Sequence, residues 1–279
     1  MKNNLNIVWI AVAFVITAAV VSACSSFDDE QTYRYSDYGT AYLLDETGSD
    51  YYLLRDDGVI LDIHSNLAAY KEISDGQRVR FNYDIVDGSA QGASAERYGI
   101  KLYGIFDILT KETLTESGVR EYEGMQEALG DDPLIMRKWW LAGKYLTIQY
   151  EYPHRTGSGT AHMISLVYDD IDSEGEAAVV TLRHNGYDAA PTAGSAAGFK
   201  INYAVVSFDI SPMLPQDGGA ITLKLVWTRY VSDGNWDERD EASETGIFDE
   251  GRLGGYYGGQ PLNISAGHIF NENINAVIK

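Results

Sequence analysis

Oxygen-bearing side chains are concentrated in the segment 233–244, which reads DGNWDERDEASE. Four of them fall at positions 1, 3, 5 and 12 of the calcium-binding loop pattern: Asp233, Asn235, Asp237 and Glu244. Oxygen ligands at these spacings can wrap around a hard cation such as calcium. Glu238, however, stands where the pattern requires glycine, and the flanking residues are typical of strands rather than helices. An acidic hairpin loop explains the segment equally well, so calcium is only an alternative.

Histidine side chains could supply metal ligands or a general base, and the chain contains five of them. They are His64, His154, His162, His184 and His268. A zinc site needs three or four ligands at about 2 Å from the ion, and neither the H-x-x-x-H nor the HExxH spacing occurs. Convergence of ligands from separate strands would not be visible in the sequence. We interpret the histidines as ordinary strand and loop residues and predict no metal site.

Other reaction signatures are also missing from the sequence. It contains no G-x-S-x-G segment that could form a nucleophile elbow, and carboxylates are too abundant for any pair to identify a glycosidase. We therefore predict no catalytic residue and no cofactor. A hydrolase whose carboxylates or histidines converge between two domains is an alternative, because sequence spacing does not reveal such convergence.

Aromatic side chains could bind sugars by stacking against their apolar faces. Trp236, Tyr256 and Tyr257 lie in polar, glycine-rich segments and are better candidates for exposed rings than Trp227, which fits the apolar face of its strand. These rings could instead fill a core or a domain interface, since large rings bury much area. A carbohydrate-binding accessory protein that uses these loop aromatics is therefore an alternative function.

Cys24 is the only cysteine, and the segment before it has the parts of a secretory signal. A positive charge precedes an apolar stretch, and small residues lead into the cysteine. Val21-Ser22-Ala23-Cys24 resembles the lipobox of bacterial lipoproteins, in which leucine is commoner than valine at the first position. In those proteins the signal is removed and the cysteine carries several acyl chains, which together anchor a protein stably. The resemblance predicts a signal peptide at 1–23 and lipidation of Cys24.

The formal net charge of −20 restricts the partners that the chain could bind. An acidic body repels nucleic acid and anionic lipid surfaces, so we predict no nucleic-acid partner. Residues 24–36 are predicted to form a lipidated acidic tether. Its beginning at 25–30, SSFDDE, resembles the export signal of surface lipoproteins in Bacteroides-type bacteria. We expect an outer-membrane lipoprotein that is exposed on the cell surface, with a periplasm-facing orientation as the alternative.

The chain beyond the tether would have to position any site, and its hydrophobic pattern has the period of strands. Apolar and polar residues alternate from 78 to 85, which is typical of a half-buried strand. The Asp-Asp-Gly sequence at 56–58 separates two β-prone runs and predicts a hairpin, because glycine can adopt the positive φ of a tight turn. About five strands in 37–110 indicate a small barrel such as the OB-fold.

A different pattern begins at residue 111. The charged segment 111–132 has few β-branched residues, and we predict a linker that contains a short helix. Beyond it, short strands separated by turn-rich segments predict an antiparallel, immunoglobulin-like β-sandwich at 133–279. The predicted fold class is therefore all-β, an OB-like five-stranded barrel followed by a sandwich. Without a cysteine in the folded body, stability must come from an apolar core.

This order of parts resembles the NigD-like lipoproteins of Bacteroides-type bacteria. The residues that carry the resemblance are YLLRDDG at 52–58, GQRVRFNY at 76–83, WLAGKYLTI at 140–148, LRHN at 182–185 and VSFDIS at 206–211. The family takes its name from association with a bacteriocin operon and has no established enzymatic activity or ligand. The resemblance implies a non-enzymatic, lipid-anchored envelope protein that acts as a binding or accessory module. Its partners would be the membrane, through the anchor, and an unidentified protein or glycan.

Lipidation of Cys24 predicts the mass of the native protein. We expect mass spectrometry of the protein purified from its own cells to find an amino terminus at Cys24 that carries acyl chains. The Cys24→Ala variant should lack this mass and leave the membrane fraction. An intact amino-terminal methionine together with a free thiol would contradict the prediction.

Overall fold

The computed structural model describes residues 35–45, 50–68, 72–87, 97–170, 177–187, 198–215, 221–232, 235–248, 256–257 and 260–261. The predicted signal peptide, the lipobox and Cys24 lie outside the described residues. All of the described residues belong to one compact unit of the chain, residues 35–279. Within the described ranges no helix has the length and apolar character needed to cross a membrane.

The first part of this unit is a closed five-stranded barrel, as the sequence predicts. Its strands are β1 (Tyr35–Leu43), β2 (Tyr51–Arg55), β3 (Ile60–Asn66), β4 (Gln77–Asp87) and β5 (Arg97–Asp107). They pair in the order β1-β2-β3-β5-β4, and pairing of β4 with β1 closes the barrel. Val79, Phe81 and Tyr83 of β4 are fully buried in the barrel core, as the period-two alternation predicts.

The second part is a β-sandwich, which confirms the predicted fold class. Its smaller sheet has the order β6 (Leu109–Glu112), β12 (Phe199–Asp209), β9 (Tyr145–Arg155) and β8 (Ile135–Ala142). Its larger sheet has the order β14 (Asn235–Phe248), β13 (Ile221–Ser232), β11 (Ala177–Asn185), β10 (Met163–Tyr168) and β7 (Leu114–Thr115). A separate pair consists of β15 (Tyr256–Tyr257) and β16 (Gln260–Pro261). Apolar side chains from both main sheets form one core.

Most strands of the sandwich run antiparallel to their neighbours, but three ladders are parallel: β6 with β12, β7 with β10, and β11 with β13. Parallel neighbours need a connection that returns the chain to the same end of the sheet. Between β11 and β13 the chain supplies this return by passing through β12 in the other sheet. The mixed pairing is therefore a consequence of strands that switch between sheets.

The segment 111–132 takes part in this switching. β6 lies in the smaller sheet and β7 in the larger one, and only Thr113 separates them. The Thr113 hydroxyl donates a hydrogen bond to the carbonyl oxygen of Asp209, 2.7 Å away. The short helices α1 (Glu116–Glu121) and α2 (Met125–Leu129) follow β7. The Thr115 hydroxyl caps α1 by accepting a hydrogen bond from the Gly118 amide.

Trp139 connects the two edge strands β8 and β14 on one side of the sandwich. Its indole N–H donates to Glu244 Oε2 at 2.7 Å, and its ring lies against the backbone of Gly246. A Cβ atom on residue 246 would stand 2.6 Å from the Trp139 ring, which is closer than van der Waals contact allows. Residue 246 therefore has to be glycine for the ring to keep this position.

Alanine at position 246 should destabilise the protein. The added methyl group would force the buried Trp139 ring or the β14 backbone to move, which costs about 1–3 kcal/mol in a well-packed core. The free energy of unfolding of Gly246→Ala, measured by urea denaturation, should fall by this amount. Gly159→Ala is the control, because a Cβ atom there meets no atom within 4 Å, and it should change stability by less than about 0.5 kcal/mol. Equal stabilities would contradict the prediction.

Candidate functional site

Arg78 lies at the junction between barrel and sandwich, and its side chain has no exposed surface. It belongs to β4, where it alternates with the core residues Val79 and Phe81 and so points away from the barrel core. The sandwich covers it on that side. A buried guanidinium group is costly unless each of its donors finds an acceptor.

All five N–H donors of the Arg78 guanidinium have an acceptor. Nη1 donates to Asp56 Oδ1 and to Thr40 Oγ1, and Nη2 donates to Asp56 Oδ2 at 2.7 Å, so the pair with Asp56 is bidentate. The remaining acceptors belong to the sandwich: Thr147 Oγ1 at 2.9 Å from Nη2, and Ser207 Oγ at 3.4 Å from Nε. We call this set of contacts the Arg78 bridge.

The Asp-Asp-Gly hairpin between β2 and β3 positions Asp56 in the bridge. Gly58 adopts a φ of 87°, and its amide donates to the carbonyl oxygen of Arg55 to close the turn. Asp56 also accepts a hydrogen bond from the Trp140 indole N–H at 2.6 Å, and Trp140 is part of the sandwich strand β8. The carboxylate of Asp56 is therefore shared between a barrel arginine and a sandwich tryptophan.

Tyr145 adds a second contact between the two domains. Its hydroxyl donates to the carbonyl oxygen of Gly76 at 3.1 Å, and the Arg78 guanidinium lies 5.3 Å from the centre of its ring. This arrangement allows a cation–π interaction in a buried environment. The junction is thus held by polar contacts from several strands on each side.

A second polar cluster lies beside the bridge in the barrel. The Tyr83 hydroxyl donates to Asp37 Oδ2 at 2.7 Å and accepts from Arg55 Nη1 at 3.1 Å, and Arg55 also pairs with Asp57. Burial raises the pKa of Asp37, while the nearby Arg55 charge opposes this rise. Burial likewise raises the pKa of Tyr83. The cluster thus keeps the Tyr83 hydroxyl protonated as a donor.

Lys138 of β8 is another ionisable group at the junction. Its ammonium group lies 5.0 Å from the centre of the Trp140 ring. Burial lowers the pKa of Lys138, while the charges of Asp56 and Asp37 oppose this decrease. Three groups with shifted pKa values, Asp37, Tyr83 and Lys138, therefore lie near the junction, and this is the feature that a site between the domains would need.

Three of the five histidines meet at one end of the sandwich. His154 lies near the end of β9, His162 directly precedes β10, and His184 lies near the end of β11. Ring nitrogens of His154 and His162 are 3.2 Å apart, and those of His162 and His184 are 3.0 Å apart. The sequence gives no signal for this convergence, because the residues come from separate elements. Among the described residues, no histidine, cysteine or carboxylate group of three or more is arranged to hold a metal ion.

The other residues predicted as site candidates stay predictions. Trp236 lies in β14, and Tyr256 and Tyr257 form β15, but their side chains are outside the described residues. The same holds for the side chains of Asn235 and Asp237 in the calcium-loop pattern, and Asp233 itself is outside the described residues. Glu244 is described, and its carboxylate accepts the hydrogen bond from Trp139.

Comparison with known protein families finds a match within the sandwich. Residues 118–236 match the family described as NigD-like C-terminal beta sandwich domain. Over these residues the sandwich is similar to that domain. The match confirms the resemblance that the sequence predicts. No curated protein matches the chain.

Solved structures of Bacteroides and Parabacteroides proteins share the fold along most of the chain. A protein of Parabacteroides distasonis named as toxin related has 23% identity and a TM-score of 0.57, covering 77% of this chain and 93% of that one. A NigD-like immunity protein of Bacteroides caccae has 18% identity and a TM-score of 0.54, covering 75% and 91%. A Bacteroides vulgatus protein of unknown function has 19% identity and a TM-score of 0.52, covering 77% and 89%. At these identities the similarity shows a shared fold along most of the chain.

Removing Arg78 should strongly destabilise the protein. Arg78→Met leaves the Asp56 carboxylate without its buried partner, and breaking a buried pair costs about 3–5 kcal/mol. The double variant Arg78→Met/Asp56→Asn should recover part of this loss, because the amide still accepts from Trp140 but carries no unpaired charge. Urea denaturation of both variants measures the effect.

The matched control is Arg97→Met. Arg97 pairs with Asp62 in the barrel, but half of the Arg97 side chain is exposed, and exposed pairs contribute about 0–1 kcal/mol. Similar losses for Arg78→Met and Arg97→Met would contradict the role assigned to the Arg78 bridge.

Proposed function

We propose that this chain is a non-enzymatic, lipid-anchored cell-envelope protein that binds a partner through a rigid unit of barrel and sandwich. The observation that carries the proposal is the Arg78 bridge, in which one side chain contacts acceptors on both domains. A surface that spans two domains binds with less loss of conformational entropy when their orientation is already fixed. The bridge provides such an orientation.

The polar groups at the junction favour binding over catalysis. A catalytic acid or base must reach a proton of the substrate, whereas the Asp56 carboxylate already accepts from Arg78 and Trp140. Asp37 is only 7% exposed, and its carboxylate accepts from Tyr83. Hydrolysis at the junction is the second candidate, because burial shifts the pKa values of Asp37 and Lys138. It is weaker, because both carboxylates already accept hydrogen bonds from neighbouring side chains.

The structural neighbours support a bacteriocin-associated role. Two of them are named as toxin related and as a NigD-like immunity protein. We infer that the partner of this chain is an envelope protein involved in tolerance of a bacteriocin. The acidic charge of the chain suits a solvated face or a basic partner.

The proposed place of action is the outer membrane. The Cys24 anchor and the acidic residues 25–30 support display on the cell surface, and the periplasmic face is the alternative. Protease treatment of intact cells that carry a tagged chain distinguishes the two. Digestion of the tag would support surface display, and protection in intact but not lysed cells would support the periplasmic face.

Partner capture should depend on both the anchor and the Arg78 bridge. Tagged chains would be cross-linked on intact cells, solubilised in detergent and purified, and the proteins recovered with them identified by mass spectrometry. We expect a specific protein with the wild-type chain, and at least a several-fold lower yield with Cys24→Ala and with Arg78→Met. Arg97→Met is the control for the loss of an arginine and should match the wild type.

Two outcomes would count against the proposal. If the wild-type chain recovers no protein above the Cys24→Ala background, the partner is not supported. If Arg78→Met is folded and recovers the same protein at the wild-type yield, binding does not need the fixed orientation of the two domains.

A further inference from the structure

The three clustered histidines form a chain of hydrogen bonds that joins the two sheets. His154 belongs to the smaller sheet through β9, and His184 belongs to the larger sheet through β11. His162 lies between them, with Nε2 facing His154 Nδ1 and Nδ1 facing His184 Nε2. Both ring-centre separations are 5.2 Å, about 2 Å longer than the distances between the ring nitrogens. Neighbouring rings therefore contact each other through their nitrogen atoms. We call this arrangement the histidine chain.

A backbone carbonyl at its inner end determines how the protons are placed. His184 Nδ1 lies 3.2 Å from the carbonyl oxygen of Asp132, which can only accept. His184 therefore carries its proton on Nδ1 and accepts at Nε2, and a neutral imidazole has one donor and one acceptor. By the same rule, His162 Nδ1 donates to His184 Nε2, so His162 Nε2 accepts. His154 Nδ1 then donates to His162 Nε2. In this state each contact in the chain has one donor and one acceptor.

Protonation changes this balance, because an imidazolium ring has two donors and no acceptor. One added proton can be accommodated at the outer end, on Nε2 of His154. A second proton would place two donors against each other and two positive charges on neighbouring rings. The histidine chain is therefore stable when neutral and breaks when it is doubly protonated.

The surroundings offer little compensation for a positive charge on the inner rings. Tyr150 and Tyr152 of β9 pack against His184, and Tyr152 also packs against His162. Among the described residues, the carboxylate that opposes the lowering of the His162 and His184 pKa values is that of Asp132, which accepts from the Gly186 amide and lies 4.0 Å from the Arg239 guanidinium of β14. Burial and the two neighbouring imidazoles lower the pKa of His162 to about 4, despite Asp132, and burial lowers the pKa of His184.

We propose that the histidine chain is an acid-sensitive latch that fastens the loop 156–162 to the end of the sandwich. The loop is held because His162 is its last residue and contacts one histidine of each sheet. Breaking a contact of the His162 ring removes this attachment. The contact between the His184 ring and the Asp132 carbonyl oxygen persists in acid, because an imidazolium ring still donates from Nδ1.

The direction of the pH effect follows from the lowered pKa values. The fold favours the neutral rings, whereas histidines in the unfolded chain titrate near pH 6.5. The stabilisation is therefore complete above about pH 6.5 and is lost as the pH falls towards 4. The latch is closed at neutral pH and opens in acid.

Thermal unfolding of the full chain, purified in detergent, tests the proposal with His162→Phe and a matched control. The wild-type Tm should fall between pH 7.5 and pH 4.5, and this fall should be smaller by about 5 °C in His162→Phe, because the titrating ring is gone. His64→Phe, on an exposed barrel histidine, should show the wild-type fall. Equal falls in all three proteins would overturn the proposal.

Hydrogen exchange of the wild-type chain gives a second measurement that needs no variant. After correction for intrinsic rates, the amide of Thr156, which donates to the Gly198 carbonyl oxygen at the start of the loop, should lose about tenfold protection between pH 7.5 and pH 4.5, while amides of the barrel core keep theirs. Unchanged protection at Thr156 would overturn the latch. A rise in Tm at pH 7.5 on addition of zinc, abolished by His162→Phe, would also overturn it, since the cluster would then be a metal site.

Discussion

The burial of one guanidinium group constrains how the two domains are joined. Arg78 cannot be exposed to water in this arrangement, so its five donors need acceptors, and the barrel supplies them only in part. Thr147 and Ser207 of the sandwich complete the set, and they also lie within hydrogen-bond distance of each other. A rotation of one domain would leave donors without acceptors, at a cost of about 1–3 kcal/mol or more for each buried group. The bridge thus specifies an orientation, which is a better supported role for a buried ion pair than added stability.

The turn and the strand at this junction are largely predictable from the sequence, but the contacts between barrel and sandwich are not. The Asp-Asp-Gly turn and the alternation in β4 have strong local signals, and both are found where the sequence predicts them. The same alternation assigns Arg78 to a solvent-facing side, because period two distinguishes the two faces of a strand but not what covers each face. Its burial depends on Ser207, which is 129 residues away along the chain. No local pattern could reveal a contact of that range.

The same limit explains what the sequence predicted about the sandwich and what it did not. Its strands and core follow from apolar alternation, which depends on neighbouring residues. The parallel ladders depend instead on where the chain changes sheet, and at Thr113 a single residue separates β6 from β7. The histidine spacing matches no metal motif, and the sequence therefore predicts ordinary strand and loop residues. They converge because the ends of β9 and β11 and the start of β10 lie at the same end of the sandwich.

The two polar networks differ in their response to acid because of the chemistry of their side chains. A guanidinium group keeps its charge over the range in which imidazole titrates. The histidine chain depends on neutral rings, so the acidity that would break it leaves the arginine of the bridge charged. Acid should therefore loosen one end of the sandwich without changing the orientation of the sandwich to the barrel. A protein built in this way can alter a local surface on the sandwich while the surface that spans both domains stays intact.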